Sequence, residues 1–174
     1  ITDPLPPTQL FAANELVMRE IDGTLHKTME FAGSPQILQQ VVNLQNRAMM
    51  IRALQHDLME FADLLALREK RQIDHRLIGH LVEAAHALVS MAPAAISEDA
   101  DEDTLDMMKR LTGDRPDLMG HIRRSLAEDE DVSAAAQELL FSATMLFKRI
   151  IWQMRHLIQL LEPGTEGGNT SSQP

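Results

Sequence analysis

One His and three acidic side chains lie close together at helical spacing in the stretch "HDLMEFAD", residues 56–63. Asp57 and Glu60 are three residues apart, so a helix would place their carboxylates one turn apart. Asp63 follows after three more residues. Carboxylate oxygens bind cations when a facing helix supplies further ligands. Asp57, Glu60 and Asp63 are therefore candidate metal ligands.

The remaining chemistry-bearing residues form weaker patterns. His75, His80 and His86 are separated by five and six residues, so a helix does not gather them on one face. Glu83 and His86 form a single Glu-x-x-His pair, whereas carboxylate-bridged di-metal bundles use such pairs on facing helices. A metal enzyme of that class stays one alternative, and it predicts bound iron or manganese that Glu60→Ala would lose. The chain has no Cys and no phosphate-binding loop or nucleophile elbow, so no local sequence signature supports an enzyme of those classes.

Composition narrows the class of partner and of fold. The formal net charge is −10, which argues against binding to nucleic acid or to anionic lipid. Apolar residues make up 44% and aromatic residues only 3%, with 11 Met. A core poor in aromatic residues and rich in Leu, Ala, Met and Ile suits helices better than sheets, and we find no useful strand alternation. The expected fold class is all-α, an antiparallel helical bundle with long heptad-patterned helices.

Local signals divide the first half of the chain. "ITDPLPP", residues 1–7, predicts an extended linker because of its three prolines. Thr8 could cap a first helix that ends near residue 31. Ser34 followed by Pro35 predicts the start of a second, much longer helix. That helix has apolar positions at alternating steps of four and three, with Gln55 as the polar exception: Ile37, Val41, Leu44, Ala48, Ile51, Gln55, Leu58, Ala62 and Leu65.

The second half predicts shorter helices and one more long helix. A polar segment at 69–76 is either a turn or a continuation of the long helix. A third helix follows up to residue 92, then an acidic loop, 93–104, that leads into a short helix. Another short helix is expected over 116–127. The helical domain therefore spans residues 8–162, and the Gly- and Ser-rich residues 163–174 form a disordered tail.

The last helix contains "LLFSATMLFKRIIWQMRHLIQLL", the most apolar part of the chain. Lys148 and Arg149 interrupt it well before the roughly 20 apolar residues that a membrane span needs. Trp152 is the only Trp and lies beside the apolar stripe, so it is either a packing anchor or a candidate partner-binding residue. The stripe again follows heptad spacing: Ala136, Leu140, Ala143, Phe147, Ile150, Met154, Leu157 and Leu161.

Three segments resemble a known family. They are "PPTQLFAANELVMREIDGTLHKTM", "NLQNRAMMIRALQHDLMEFADLL" and "RPDLMGHIRRSLAEDEDVSAAAQELLFSATMLFKRIIWQMRHLIQLL". They resemble the PhoU-like cytoplasmic helical region of bacterial sodium/phosphate cotransporters. The first segment is similar to the helix that follows the last membrane span in that family, and the second to the first PhoU-type helix. The third is similar to the basic segment and final helix with which the family ends. The family's metal motif is Glu-x-x-x-Asp, whereas Glu60 and Asp63 here are Glu-x-x-Asp, so no cofactor is expected.

The resemblance implies a function and a location. It implies a non-enzymatic regulatory domain of a sodium-coupled phosphate or other anion transporter, on the cytoplasmic face of the inner membrane, cut from a longer protein. Its partner would be the transmembrane domain of the same parent protein. A homodimer stays open, because the methionines and the wide stripe of the last helix offer apolar surface. The alternative is a helical-bundle interaction or signalling module of a sensor or other membrane protein.

Overall fold

The computed structural model describes residues 6–73, 76–97, 101–113, 120, 122, 124 and 132–161. Five helices account for nearly all of that part of the chain, which contains no strand, so the all-α prediction is confirmed. They are α1 (Pro7–Glu30), α2 (Pro35–Arg71), α3 (Arg76–Ala95), α4 (Glu102–Leu111) and α5 (Ala134–Leu161). The predicted tail, most of the linker and most of the predicted helix at 116–127 lie outside the described residues.

The first two helices begin at prolines. Ser34 caps α2 as predicted, because its Oγ accepts a hydrogen bond of 3.3 Å from the Ile37 backbone N–H. α1 begins at Pro7, with Pro6 at the cap position, so Thr8 lies inside the first turn and not at the cap. Proline suits a first helical position because that position needs no N–H donor. The helix therefore starts one residue before the predicted boundary of the linker.

The polar segment after α2 contains a turn. Gln72 adopts the left-handed conformation with φ 52°, and its N–H bonds back to the carbonyls of Arg68 and Glu69. Arg68 closes the same turn from its side chain, since its Nε donates to the Ile73 carbonyl over 2.9 Å. α3 begins after this turn at Arg76. It continues through Pro93 to Ala95, further than the predicted end at residue 92.

Helix packing follows a simple order. α2 packs on α1 and on α5, while α3 and α4 pack on α5 and on each other. α2 and α5 run antiparallel, because Arg47 near the start of α2 meets Leu160 at the end of α5, and Asp57 meets Arg149. The Arg47 Nε donates to the Leu160 carbonyl over 2.9 Å, which satisfies an acceptor at the negative end of the α5 dipole.

The core lies around α5. Seven of the eight heptad positions predicted on this helix are buried, and Leu161 is half-buried. Leu81 and Leu88 of α3, Met108 of α4 and Phe61 of α2 pack against them. Burying an aliphatic or aromatic side chain of this size contributes about 1.5–3 kcal/mol each, so this cluster supplies much of the stability. The predicted stripe of α5 is therefore confirmed.

The predicted stripe of α2 is only partly correct. Of its nine positions, Val41 and Ala48 are buried, while Ile37 and Leu44 are 44% and 46% exposed. α2 has two neighbours on different sides and so buries two faces instead of one. Val41 and Ala48 share the α1 side, and Phe61 belongs to the core cluster on the α5 side.

One described helix, α3, is long and apolar enough to cross a membrane when judged by length and composition alone. Core helices of soluble proteins pass the same test. Within this fold α3 buries 22% of that apolar window, and Ile78, Leu81, Ala85 and Leu88 pack in the core.

Candidate functional site

A buried ion pair joins the two longest helices. The Asp57 side chain is completely buried in the middle of α2. Arg149 of α5 binds it with two nitrogens, Nε to Oδ2 over 3.0 Å and Nη2 to Oδ1. This paired geometry matches the planar guanidinium to the carboxylate and compensates the buried charge. The pair therefore fixes the position of α5 along α2.

Two further residues extend this pair towards the surface. Glu60 lies one turn after Asp57, with its Oε2 3.6 Å from the Arg149 Nη1. His56 lies on its other side, with Nε2 3.4 Å from the Glu60 Oε1. Their side chains are 61% exposed for His56, 44% for Glu60 and 52% for Arg149. His56, Asp57, Glu60 and Arg149 form a group that we name the ion cluster.

The ion cluster uses the predicted metal ligands differently. Both Asp57 oxygens bind Arg149, Glu60 lies beside the same guanidinium, and Asp63 is exposed. Among the described residues, no group of three or more His, Asp or Glu side chains is placed to hold a metal ion. The geometry therefore supports a structural and electrostatic role for Asp57 and Glu60, and the metal site stays a prediction.

Polar atoms also reach the core beside the ion cluster. Gln153, one turn after Arg149, is 7% exposed, and its Oε1 is buried without a hydrogen-bond partner among the described residues. The Gln55 Oε1 on α2 is in the same situation. A buried polar atom without a partner costs about 1–3 kcal/mol. The core of α5 beside the ion cluster is therefore not wholly apolar.

The predicted partner-binding residue, Trp152, is exposed. Its surface is 60% accessible, although large aromatic side chains are usually mostly buried. Its ring stacks on His156, with centroids 5.5 Å apart and planes within 3°. Arg149, Trp152 and His156 lie at steps of three and four on α5, so they share one side of the helix. We name these three residues the α5 surface.

The sequence analysis identified Asp57, Glu60 and Trp152 as candidates but missed Arg149, which binds Asp57 and lies beside Glu60. Asp57 was visible as a charge among Leu54, Leu58 and Phe61, at helical spacing that predicts a buried stripe. A buried carboxylate requires a cationic partner, and this requirement is the signal that could have led to Arg149.

The α5 surface combines an aromatic plane, a guanidinium and an imidazole on a helix that the Asp57 pair holds in place. Aromatic and arginine side chains are the types that dominate binding energy at protein interfaces. The chain matches no protein-family model, no curated protein and no solved structure.

Proposed function

We propose that this chain is a non-enzymatic regulatory domain of a membrane transporter, and that it acts by docking through the α5 surface. The observation that carries the proposal is the exposure of Trp152 on a helix fixed by a buried ion pair. A large aromatic side chain presented on a rigid support loses little conformational entropy when it binds a partner. The geometry thus favours recognition over chemistry.

The identity of the partner rests on the resemblance of the three quoted segments to PhoU-like cytoplasmic domains. On that basis the chain is a PhoU-like antiparallel bundle on the cytoplasmic face of the inner membrane. Its partner is the transmembrane domain of a sodium-coupled phosphate or related anion transporter in the same parent protein. Docking on the α5 surface biases transport if it favours one conformation of the transporter over another.

The first test identifies the parent protein in the source cells. An antibody against this chain is used to follow its size and its membrane association after carbonate washing. A band much larger than 19.5 kDa that stays with the membrane supports the proposal. A soluble band near 19.5 kDa overturns it and leaves the alternative, a helical interaction or signalling module with a separate partner.

The second test measures transport by the intact parent. Trp152→Ala should change sodium-dependent phosphate uptake without changing the amount of protein in the membrane. Leu16→Ala is the matched control, because Leu16 is 64% exposed and belongs to α1, which packs on α2 and not on α5. Unchanged uptake in Trp152→Ala, or equal loss in both variants, would contradict docking through the α5 surface.

A further inference from the structure

α1 carries a second repeating pattern, separate from the side chains that face α2. Its positions alternate in steps of four and three, as in the seam of a coiled coil. None of them is charged, and every one is exposed. We name them the α1 seam: Leu10, Asn14, Val17, Ile21, Thr24, Thr28 and Phe31.

The apolar members of the α1 seam expose much of their surface. Leu10, Val17 and Ile21 are 47%, 56% and 39% accessible, and Phe31 at the end of the helix is 84% accessible. α2 is the one described helix that packs on α1, and it covers a neighbouring face that includes Met18 and Leu25. Single exposed apolar residues are ordinary, but four of them on one face of a helix, with only uncharged residues between them in the seam, form a candidate interaction surface.

The two threonines of the α1 seam are suited to burial. Thr24 donates its hydroxyl to the Glu20 carbonyl over 2.9 Å, and Thr28 donates to the Thr24 carbonyl over 2.9 Å. Their hydroxyl protons therefore keep a hydrogen-bond partner within the helix when the surface is covered, which lowers the cost of burying them. Asn14 is the remaining polar member, and it lies in the first half of the helix, towards one end of the seam.

Charge complementarity identifies what covers the α1 seam. Glu20 and Lys27 lie one heptad apart, each directly before a seam residue. When two α1 helices pair antiparallel about a two-fold axis, these positions face each other across one edge of the seam. Glu20 of each copy then lies opposite Lys27 of the other, which gives two favourable contacts. A slip by one heptad would bring Glu20 against Glu20 of the second copy.

A parallel pairing does not fit the same surface. In a parallel pair, each edge of one seam faces the opposite edge of the other seam. Glu20 and Lys27 would then face the edge that contains Met18 and Leu25, which α2 already covers. We propose that two copies of this chain form a dimer through antiparallel α1 seams. The interface is isologous, so it closes at two copies. Ile37 and Leu44 in the first half of α2 give further exposed apolar surface to this helical hairpin.

Light scattering of the full chain over a range of concentrations tests the dimer. We expect a mass of twice 19.5 kDa that falls to 19.5 kDa on dilution. Ile21→Lys should raise the dissociation constant roughly hundredfold, because it places uncompensated charge in the seam. Leu16→Lys is the matched control on the same helix, and it should leave the dissociation constant unchanged. Circular dichroism of each variant verifies that it is folded.

Exchange of the two charges tests the antiparallel alignment. Glu20→Lys should raise the dissociation constant roughly tenfold, since two attractive contacts become repulsive. Adding Lys27→Glu to that variant should restore it to within about twofold. A single 19.5 kDa species at every concentration overturns the proposal, and so does a dimer that survives Ile21→Lys. A double variant that stays as weak as Glu20→Lys overturns the antiparallel alignment.

Discussion

Loss of Arg149 should destabilise the protein more than loss of Asp57, although both substitutions remove the same ion pair. The Asp57 side chain is completely buried and the Arg149 side chain is 52% exposed. In Arg149→Ala the carboxylate stays in the core without its cationic partner. In Asp57→Ala the guanidinium can turn towards water and keeps Glu60, 3.6 Å away. The two halves of the pair are therefore unequal.

The expected magnitudes follow from this difference in burial. Removing one partner of a buried pair costs about 3–5 kcal/mol, and the partial exposure of Arg149 allows water to approach, so we expect about 2–3 kcal/mol for Arg149→Ala. For Asp57→Ala we expect about 1 kcal/mol, close to the value of an exposed pair. Replacing both residues by Leu should cost less than Arg149→Ala alone, because no buried charge remains.

Equilibrium unfolding in urea, followed by circular dichroism, measures these free energies. The dependence on urea concentration should be the same for all variants, which shows that the folded state stays equally compact. Lys148→Ala is the control, since Lys148 is the exposed neighbour of Arg149 and should change the free energy by less than about 0.5 kcal/mol. Equal costs for Arg149→Ala and Asp57→Ala, or a larger cost for Asp57→Ala, would refute the reasoning.

Trp152→Ala should leave the unfolding free energy within about 0.5 kcal/mol of that of the unchanged protein. In the unchanged protein acrylamide should strongly quench the fluorescence of this single Trp, and fluorescence that resists quenching would contradict its exposure. Ser34→Ala should cost about 1 kcal/mol in urea unfolding and Ser34→Asp much less, because Asp also caps helices; equal losses would exclude a capping role. Hydrogen bonds from Thr104 lower the pKa of Asp101 below 3.8, so the cap of α4 is fully effective above that value and is lost as the pH falls through the lower folded pKa. An NMR titration of the Thr104 amide should show this midpoint, and a midpoint at or above 3.8 would contradict it. After incubation with Mn²⁺ or Fe²⁺ and desalting, we expect no stoichiometric metal, whereas metal that Glu60→Ala loses would establish the metal site.

The stripe of α5 could be predicted because the helix packs against α2, α3 and α4 and buries a wide surface. When most sides of a helix are covered, the apolar positions and the buried positions coincide. Gln153 shows the limit of this agreement. It is polar and is not among the predicted stripe positions, yet it is only 7% exposed, because it follows Arg149 by one turn on the side that faces α2.

The stripe of α2 could be predicted less well, because sequence periodicity does not reveal how many neighbours a helix has. Ile37 and Val41 belong to the same heptad pattern, but only Val41 is buried. The Asp57–Arg149 pair could be predicted only in part, because the buried position of Asp57 requires a cationic partner but does not identify it. Its members are 92 residues apart, and Lys148 and Arg155 were equally available as cationic partners. The alignment of α5 along α2 decides between them, and that alignment depends on the packing of the whole core.

The two proposed surfaces belong to helices on different sides of α2. α1 and α5 each pack on α2, and no contact joins α1 to α5 in the described part of the chain. A dimer formed through the α1 seam therefore leaves Trp152 accessible to another partner. For this reason Ile21→Lys should convert the dimer to a monomer in light scattering but leave docking through the α5 surface unchanged. Trp152→Ala should weaken docking and leave the dimer unchanged. The exposure of Ile37 and Leu44 fits the same arrangement. These two residues belong to the heptad pattern of α2, which predicts a neighbouring helix beside them. A single copy has no helix there, whereas the α1–α2 hairpin of a second copy would supply one.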